Sequence, residues 1–313
     1  MRHLPLLAAV LLVLPRPTAA QVEPGVYRHA VVHGEDARAV LLLVPERVQE
    51  EIPLAVLLHT EGSDGATFGR ARQRFVDEAT GRGWAVAIPY GAPCRDGDGL
   101  CWASRDDPPE LAASEADDVG VLRALVADLD RLIDVDTERV FWAGHGEGGG
   151  MVHRMAAEAP ELVAAGAIVA GLVGRETDPA SASWSMLDLP ETPVSMLVVH
   201  GIEDRVLPYG GYQRGSTGIT PLPAVYAANA WGFDANGCDH AGVETHGFTG
   251  IGNRLSAPYG TMDYRAGCRA GTSVRFVAVG DHGHAWPEQG DAYDADREVV
   301  AFFEAQASSA GPR

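Results

Sequence analysis

Three segments of the chain hold residues whose types and order suit acyl-transfer chemistry. In the first, the apolar run Val140-Phe141-Trp142-Ala143 passes into Gly144-His145-Gly146-Glu147-Gly148-Gly149-Gly150 and then Met151. A strand that turns through small residues into a helix is the layout of a nucleophile elbow, G-x-S-x-G, which lifts its central side chain above a sheet. Here the central residue is Gly146, so the nucleophile position is vacated. Sliding the frame by two residues centres it on Gly148 and supplies no hydroxyl either. In the second segment, Val199-His200-Gly201-Ile202-Glu203-Asp204, a strand ends in an acidic loop, and Asp204 is the candidate carboxylate for orienting a histidine. In the third, Val279-Gly280-Asp281-His282-Gly283-His284-Ala285-Trp286-Pro287, His284 is the candidate general base. Elbow, acid and base follow one another in the chain order that this chemistry uses on a sheet of parallel strands.

Other chemistries fit less well. The glycine run superficially resembles a phosphate loop, but no lysine or Ser/Thr follows it, and Glu147 would repel phosphate. A dinucleotide site belongs in the first strand–helix–strand unit, and this run comes late in the chain. His282 and His284 have metal-like spacing that Glu61 or Glu147 could complete, yet His284 already has a role by position. No cofactor is expected. His240 and His246 are expected at the surface, and Trp286 and Pro287 are expected to shape the histidine loop. Trp102 and Trp184 are candidates for lining a pocket.

The elements that must position these residues alternate short apolar runs with longer amphipathic ones, a pattern that predicts an α/β fold with a mostly parallel eight-stranded sheet and helices on both faces. Predicted strands are Val26 to Val32, Ala37 to Val44, Leu54 to His59, Ala85 to Pro89, Val140 to Ala143, Ala165 to Ala170, Val194 to His200 and Val274 to Val279. Predicted helices are Phe68 to Arg82, Ala116 to Ile133, Gly149 to Ala159, Ala224 to Trp231 and Asp294 to Gln306. In the second helix Val119, Leu122, Leu125, Val126 and Leu129 recur at the spacing of a buried face. The Gly/Pro/Asp-rich stretches Gly91 to Pro109, Arg175 to Pro193 and Tyr209 to Pro223 are expected as surface loops.

With these motifs placed between the strands, the chain resembles the secreted polyhydroxybutyrate depolymerase and feruloyl esterase group of α/β-hydrolases. The resemblance runs from about Pro53 to Phe303. It rests on His284-Ala285-Trp286-Pro287, His200-Gly201 to Asp204 to Pro208, Asp117-Asp118-Val119-Gly120, Asp136 to Val140, and Trp231 followed by Asn236-Gly237-Cys238. It implies the α/β-hydrolase fold and esterase chemistry, with Asp204 and His284 as acid and base and Gly146 where the serine stands. The loop after the third strand also departs, reading His59-Thr60-Glu61-Gly62 where the family has His-Gly and a small residue. By position, backbone N–H groups at Glu147 and in the Thr60/Glu61 loop would bind the oxyanion. Carboxylates turned inward at Glu61 and Glu147 would oppose that charge, where each donor normally contributes roughly 3 to 4 kcal/mol.

The first twenty residues read as an export signal, with Arg2 and His3 ahead of an apolar run and Thr18-Ala19-Ala20 before Gln21. Residues 21–313 are expected to form a single domain, secreted or periplasmic. Among 313 residues there are 24 basic and 43 acidic ones and no lysine, a formal net charge of -19 that disfavours nucleic acid and anionic membrane as partners. The expected partner is a small-molecule ester, aromatic acid or sugar. Four cysteines in an exported chain predict two disulfides, with the local pairings Cys94 to Cys101 and Cys238 to Cys268 favoured. Two functions follow: an inactive or strongly impaired serine esterase that keeps its ligand pocket as a binding or scaffolding protein, or an active hydrolase using His284 and Asp204 with a water or a displaced nucleophile.

Overall fold

The computed structural model describes residues 22–46, 50–104, 114–171, 174–178, 183–186, 188–211, 224–249 and 254–309. The export signal expected in residues 1–20 and most of the loop expected over 209–223 lie outside the described residues, as does the Trp184 side chain.

One ten-stranded sheet organises the chain. Its strands are β1 (Gly25–His33), β2 (Asp36–Val44), β3 (Ile52–Leu58), β4 (Ala85–Pro89), β5 (Val135–His145), β6 (Ala165–Val169), β7 (Ser195–Gly201), β8 (Val243–His246), β9 (Tyr259–Tyr264) and β10 (Val274–Val279). They lie in the order β1-β2-β4-β3-β5-β6-β7-β10-β9-β8. The six from β4 to β10 are parallel to one another, and the pairs at either edge are antiparallel. Parallel strands covered on both faces carry near-continuous apolar sequence. Every residue of β3, β4, β6 and β7 is buried.

Helices α1 (Gly65–Ala71), α2 (Gln73–Gly81), α3 (Asp118–Ile133), α4 (Glu147–Glu158), α5 (Ala224–Asn229) and α6 (Ala295–Ser309) divide between the two faces. Alternation along β3 shows the division: Leu54, Val56 and Leu58 join the core with α3, α4 and α5, whereas Ala55 and Leu57 join the core with α1, α2 and α6. The buried face predicted for α3 is the one that packs inward. Its N-terminus is capped by the Asp117 carboxylate, which accepts from the Gly120 N–H at 2.9 Å. Asp118 is fully buried against Arg38 at 2.8 Å. Burial raises the Asp118 carboxyl above its ordinary range despite that guanidinium. The Asp117-Asp118-Val119-Gly120 motif thus anchors a helix rather than lining a site.

All eight predicted strands are present, and β8 and β9 extend the sheet beyond them. Their sequences, Val-Glu-Thr-His and Tyr-Gly-Thr-Met-Asp-Tyr, are mostly polar because they lie at an edge with exposed residues. The predicted helix from Phe68 to Arg82 breaks at Arg72, which separates α1 from α2 with φ -105° and ψ 29°. The last predicted turn of α5 widens into a π-helical turn over Ala230–Ala235. Two stretches expected as loops contain ribbons instead, Ala92–Pro93 with Leu100–Cys101 and Gly174–Asp178 with Ser183–Met186. Both disulfides form as the local pairings, Cys94 to Cys101 and Cys238 to Cys268.

Candidate active site

Four parallel strands bring their C-terminal loops to one edge of the sheet, where open α/β sheets form their crevices. Thr60 follows β3, Gly146 follows β5, Asp204 follows β7 and His284 follows β10. Backbone bonds fasten neighbouring loops: the Glu203 N–H donates to the His282 carbonyl at 2.9 Å, and the Gly146 N–H donates to the Val169 carbonyl at 2.9 Å.

Between the end of β5 and the start of α4 stands one residue, Gly146, at φ 56° and ψ -119°. A side chain strains in that region of backbone space, whereas glycine enters it freely. Gly148, one position into α4, lies against the carbonyl oxygens of Leu58 and His59, where a Cβ would collide. The turn from β5 into α4 therefore has the tight backbone shape of an elbow, with glycine at its centre. A Cβ built on Gly146 would stand 3.3 Å from His284 Nε2 and 2.5 Å from Thr60 Oγ1.

His284 Nδ1 donates to Asp204 Oδ2 at 2.8 Å, which leaves Nε2 facing the elbow. The Asp204 side chain is fully buried. Burial would raise its carboxyl, but hydrogen bonds from His200, His284 and the Leu207 N–H prevail and hold it well below the usual carboxylate range. Its Oδ1 accepts from the Val206 and Leu207 N–H groups at 2.8 and 2.7 Å. His200 Nε2 lies 3.3 Å from its Oδ2 and donates to the Leu207 carbonyl at 2.7 Å. A carboxylate saturated in this way stays ionised and stabilises a positive imidazole beside it.

Neighbouring aromatic residues fix the histidine loop. Trp286 is buried, with edge-on contacts to Phe68, Phe75 and His145, and the Arg72 guanidinium sits 5.5 Å over its ring. Arg72 in turn pairs with Glu288 and Asp296. Burial, with His284 and Arg72 close by, pushes His145 down to about 3, so this ring is a neutral neighbour of His284 at 5.4 Å between centroids.

The two glutamates beside the expected oxyanion position take different directions. Glu61 is exposed. The Glu147 carboxylate accepts the Trp102 backbone N–H at 2.8 Å, which ties the start of α4 to the disulfide-closed ribbon. Trp102 itself is fully buried, its Nε1–H donating to the His59 carbonyl at 3.0 Å, so it anchors the loop and lines no pocket. His59 is buried too. Its Nε2 accepts the Gly91 N–H at 2.9 Å, so its Nδ1 carries the proton and donates to the Thr60 carbonyl at 2.8 Å.

Sequence spacing brought out Gly146, Asp204 and His284, which the fold places together. It did not bring out the Thr60 hydroxyl beside Gly146, nor His200 as a second partner of Asp204. The replacement of a small residue by Thr60 was a signal for the first, and the i, i+4 spacing of His200 and Asp204 was one for the second. Among the described residues no group of three or more His, Cys, Asp or Glu side chains is arranged to hold a metal ion.

A ten-stranded, mostly parallel sheet with an elbow after β5, an acid after β7 and a histidine after β10 defines an α/β-hydrolase fold of the esterase type. The family model described as Esterase PHB depolymerase matches residues 38–201, just over half of the chain, and the chain belongs to that family. It is 29% identical over 273 residues to NocK of Nocardia uniformis subsp. tsuyamanensis, named as an esterase, covering 82% of this chain and 72% of that one. It is 27% identical over 257 residues to a protein of Aspergillus flavus named feruloyl esterase C, covering 81% and 78%. Among solved structures, an acetyl xylan esterase from Aspergillus awamori matches with TM-score 0.57 and 17% identity, covering 85% of this chain and 94% of that one. An S-formylglutathione hydrolase from Agrobacterium tumefaciens matches with TM-score 0.57 and 15% identity, covering 92% and 95%. Both structural likenesses support the fold.

Proposed function

We propose that this chain is a small-molecule carboxylic-ester hydrolase that works without an acyl-serine at position 146. In this reading His284 is the general base and Asp204 its orienting carboxylate. One observation carries it: the Asp204–His284 pair is bonded at 2.8 Å, and Nε2 faces the space above an elbow that has kept its backbone. His284 takes the proton of the attacking hydroxyl, and Asp204 stabilises the imidazolium that results. Backbone N–H groups at the start of α4 and in the Thr60/Glu61 loop stabilise the oxyanion. The Glu147 carboxylate, held by the Trp102 N–H, and the exposed Glu61 support this part of the reading.

The turnover is expected to be low. Losing a triad serine costs on the order of a millionfold and leaves roughly a thousandfold over the uncatalysed rate. The relatives' names suggest esters of aromatic acids and acetylated sugars as substrates. The two disulfides support an oxidising compartment, secreted or periplasmic, with residues 21–313 as one domain.

A second reading is a binder of the same ligands with no turnover, favoured by the missing hydroxyl at Gly146. Release of ferulate from methyl ferulate and of nitrophenol from short-chain nitrophenyl esters separates the two. The hydrolase reading expects slow release by the wild type and none by His284→Ala. Binding of the esters with no release would overturn it in favour of the second.

A further inference from the structure

We propose that the Thr60 hydroxyl is the nucleophile of this site, displaced from the elbow to the loop after β3. This inference deepens the hydrolase reading and rests on it. A Cβ at residue 146 would lie 2.5 Å from Thr60 Oγ1 and 3.3 Å from His284 Nε2, so the hydroxyl and the base both border the place where the side chain of a residue at 146 would begin. Thr60 thus fills the room that the glycine vacates, with a group of the same chemical kind. Thr60 is half-buried.

The loop that carries it is pinned by its backbone rather than by its side chain. The His59 ring donates to the Thr60 carbonyl at 2.8 Å, and the Ser63 N–H donates to the same oxygen at 3.2 Å. The Trp102 indole holds the His59 carbonyl at 3.0 Å, and the Gly62 N–H donates to the Leu100 carbonyl at 3.0 Å. Burial lowers the pKa of His59, which keeps it neutral and in the tautomer that makes these bonds. Among the described residues Thr60 Oγ1 and His284 Nε2 make no hydrogen bond, to each other or to another group, while the Thr60 carbonyl and His284 Nδ1 are held. A rotation about χ1 between staggered positions is all the hydroxyl needs to re-aim. Rigid backbone with an uncommitted hydroxyl next to an oriented base is what an activated nucleophile requires.

The steps balance as an ordinary two-stage hydrolysis. Thr60 Oγ1 bonds to the ester carbonyl carbon while its proton passes to His284 Nε2. The tetrahedral adduct then breaks its bond to the alcohol oxygen, and the alcohol leaves with that proton. A water molecule, deprotonated by His284, attacks the acyl-Thr60 ester. The carboxylic acid leaves and the Thr60 hydroxyl recovers its proton from His284.

The test is covalent trapping of the full chain with an alkyl fluorophosphonate, followed by intact mass and peptide mapping, alongside nitrophenyl acetate turnover. The expected result is one adduct, on Thr60. It persists in Thr60→Ser and disappears in Thr60→Val and His284→Ala, and turnover in Thr60→Val falls by roughly a hundredfold or more. A thermal melt matching the wild type confirms that Thr60→Val is folded, and Thr60→Ser supplies the rescue if it is not. No adduct, an adduct on another residue, or wild-type turnover in Thr60→Val would overturn the proposal. Turnover that needs His284 but not Thr60 assigns the attack to water, which sinks this inference and leaves the hydrolase reading standing. Absence of turnover in the wild type sinks the hydrolase reading and this inference with it.

Discussion

Gly146 carries no side chain at the centre of the elbow, and the Thr60 hydroxyl stands next to it. Returning a serine to position 146 brings its Cβ to 2.5 Å from Thr60 Oγ1 and places a side chain at φ 56°, so Thr60 must turn or shift to admit it. Gly146→Ser alone is therefore expected to lose about 1 to 2 kcal/mol of stability and gain little activity. Gly146→Ser combined with Thr60→Gly clears the space and is expected to exceed the wild type in nitrophenyl acetate turnover by roughly a thousandfold, within the range a triad serine supplies. Equal turnover for the single and double variants would show that Thr60 does not crowd the elbow. Asp204→Asn removes the acceptor that fixes His284 and is expected to lower turnover by about a thousandfold or more with little change in KM.

The elements that carry these residues were largely legible as sequence, because parallel strands buried on both faces are short apolar runs. The exceptions have physical reasons. The edge strands β8 and β9 pair with one neighbour or face solvent on one side, and so lack such a run. Elbow and histidine loop could be placed from their motifs, but side chains that meet only in space could not, which is why the place of the Thr60 hydroxyl beside the elbow and the pairing of His200 with Asp204 were missed. Glu147 is a further case: its position suggested a charge against the oxyanion, and its carboxylate instead holds the Trp102 N–H. Glu147→Ala leaves that N–H without its acceptor and is expected to cost about 1 to 3 kcal/mol, read by thermal or denaturant unfolding. The Cys238–Cys268 bridge spans a separation of 30 residues and ties the turn after α5 to the end of β9. Its replacement by paired serines is expected to cost roughly 3 to 4 kcal/mol, with a rise in m-value that a lost core side chain would not give, because the denatured chain without the cross-link exposes more surface.

Over the whole molecule, the buried carboxylates Asp204 and Asp296 give the stability opposite slopes with pH, and the raised Asp118 adds to the slope of Asp296. Asp204 is held below its ordinary value, so its contribution is present above about pH 4 and is lost as the pH falls further. Asp296 is pushed up to about 6 by burial, against the attraction of Arg72. A raised carboxyl favours folding while protonated, so that contribution is present below about pH 4 and is lost as the pH rises through 6. The loss amounts to about 3 kcal/mol. Melting temperatures of the wild type are expected to carry this downward slope between pH 4 and 6, and Asp296→Asn is expected to flatten it. An unchanged slope would show that Asp296 titrates normally.

The two halves of the molecule meet at the sheet edge, where Arg72, Trp286 and Asp296 from one face support a histidine that looks across at an elbow backed by α4 on the other. That arrangement matters to function only if His284 still moves protons. The most direct measurement is kcat/KM for nitrophenyl acetate in the wild type and in His284→Ala, each corrected for the buffer reaction. A ratio of about a hundred or more is expected of a working base, and a ratio of one would contradict the account.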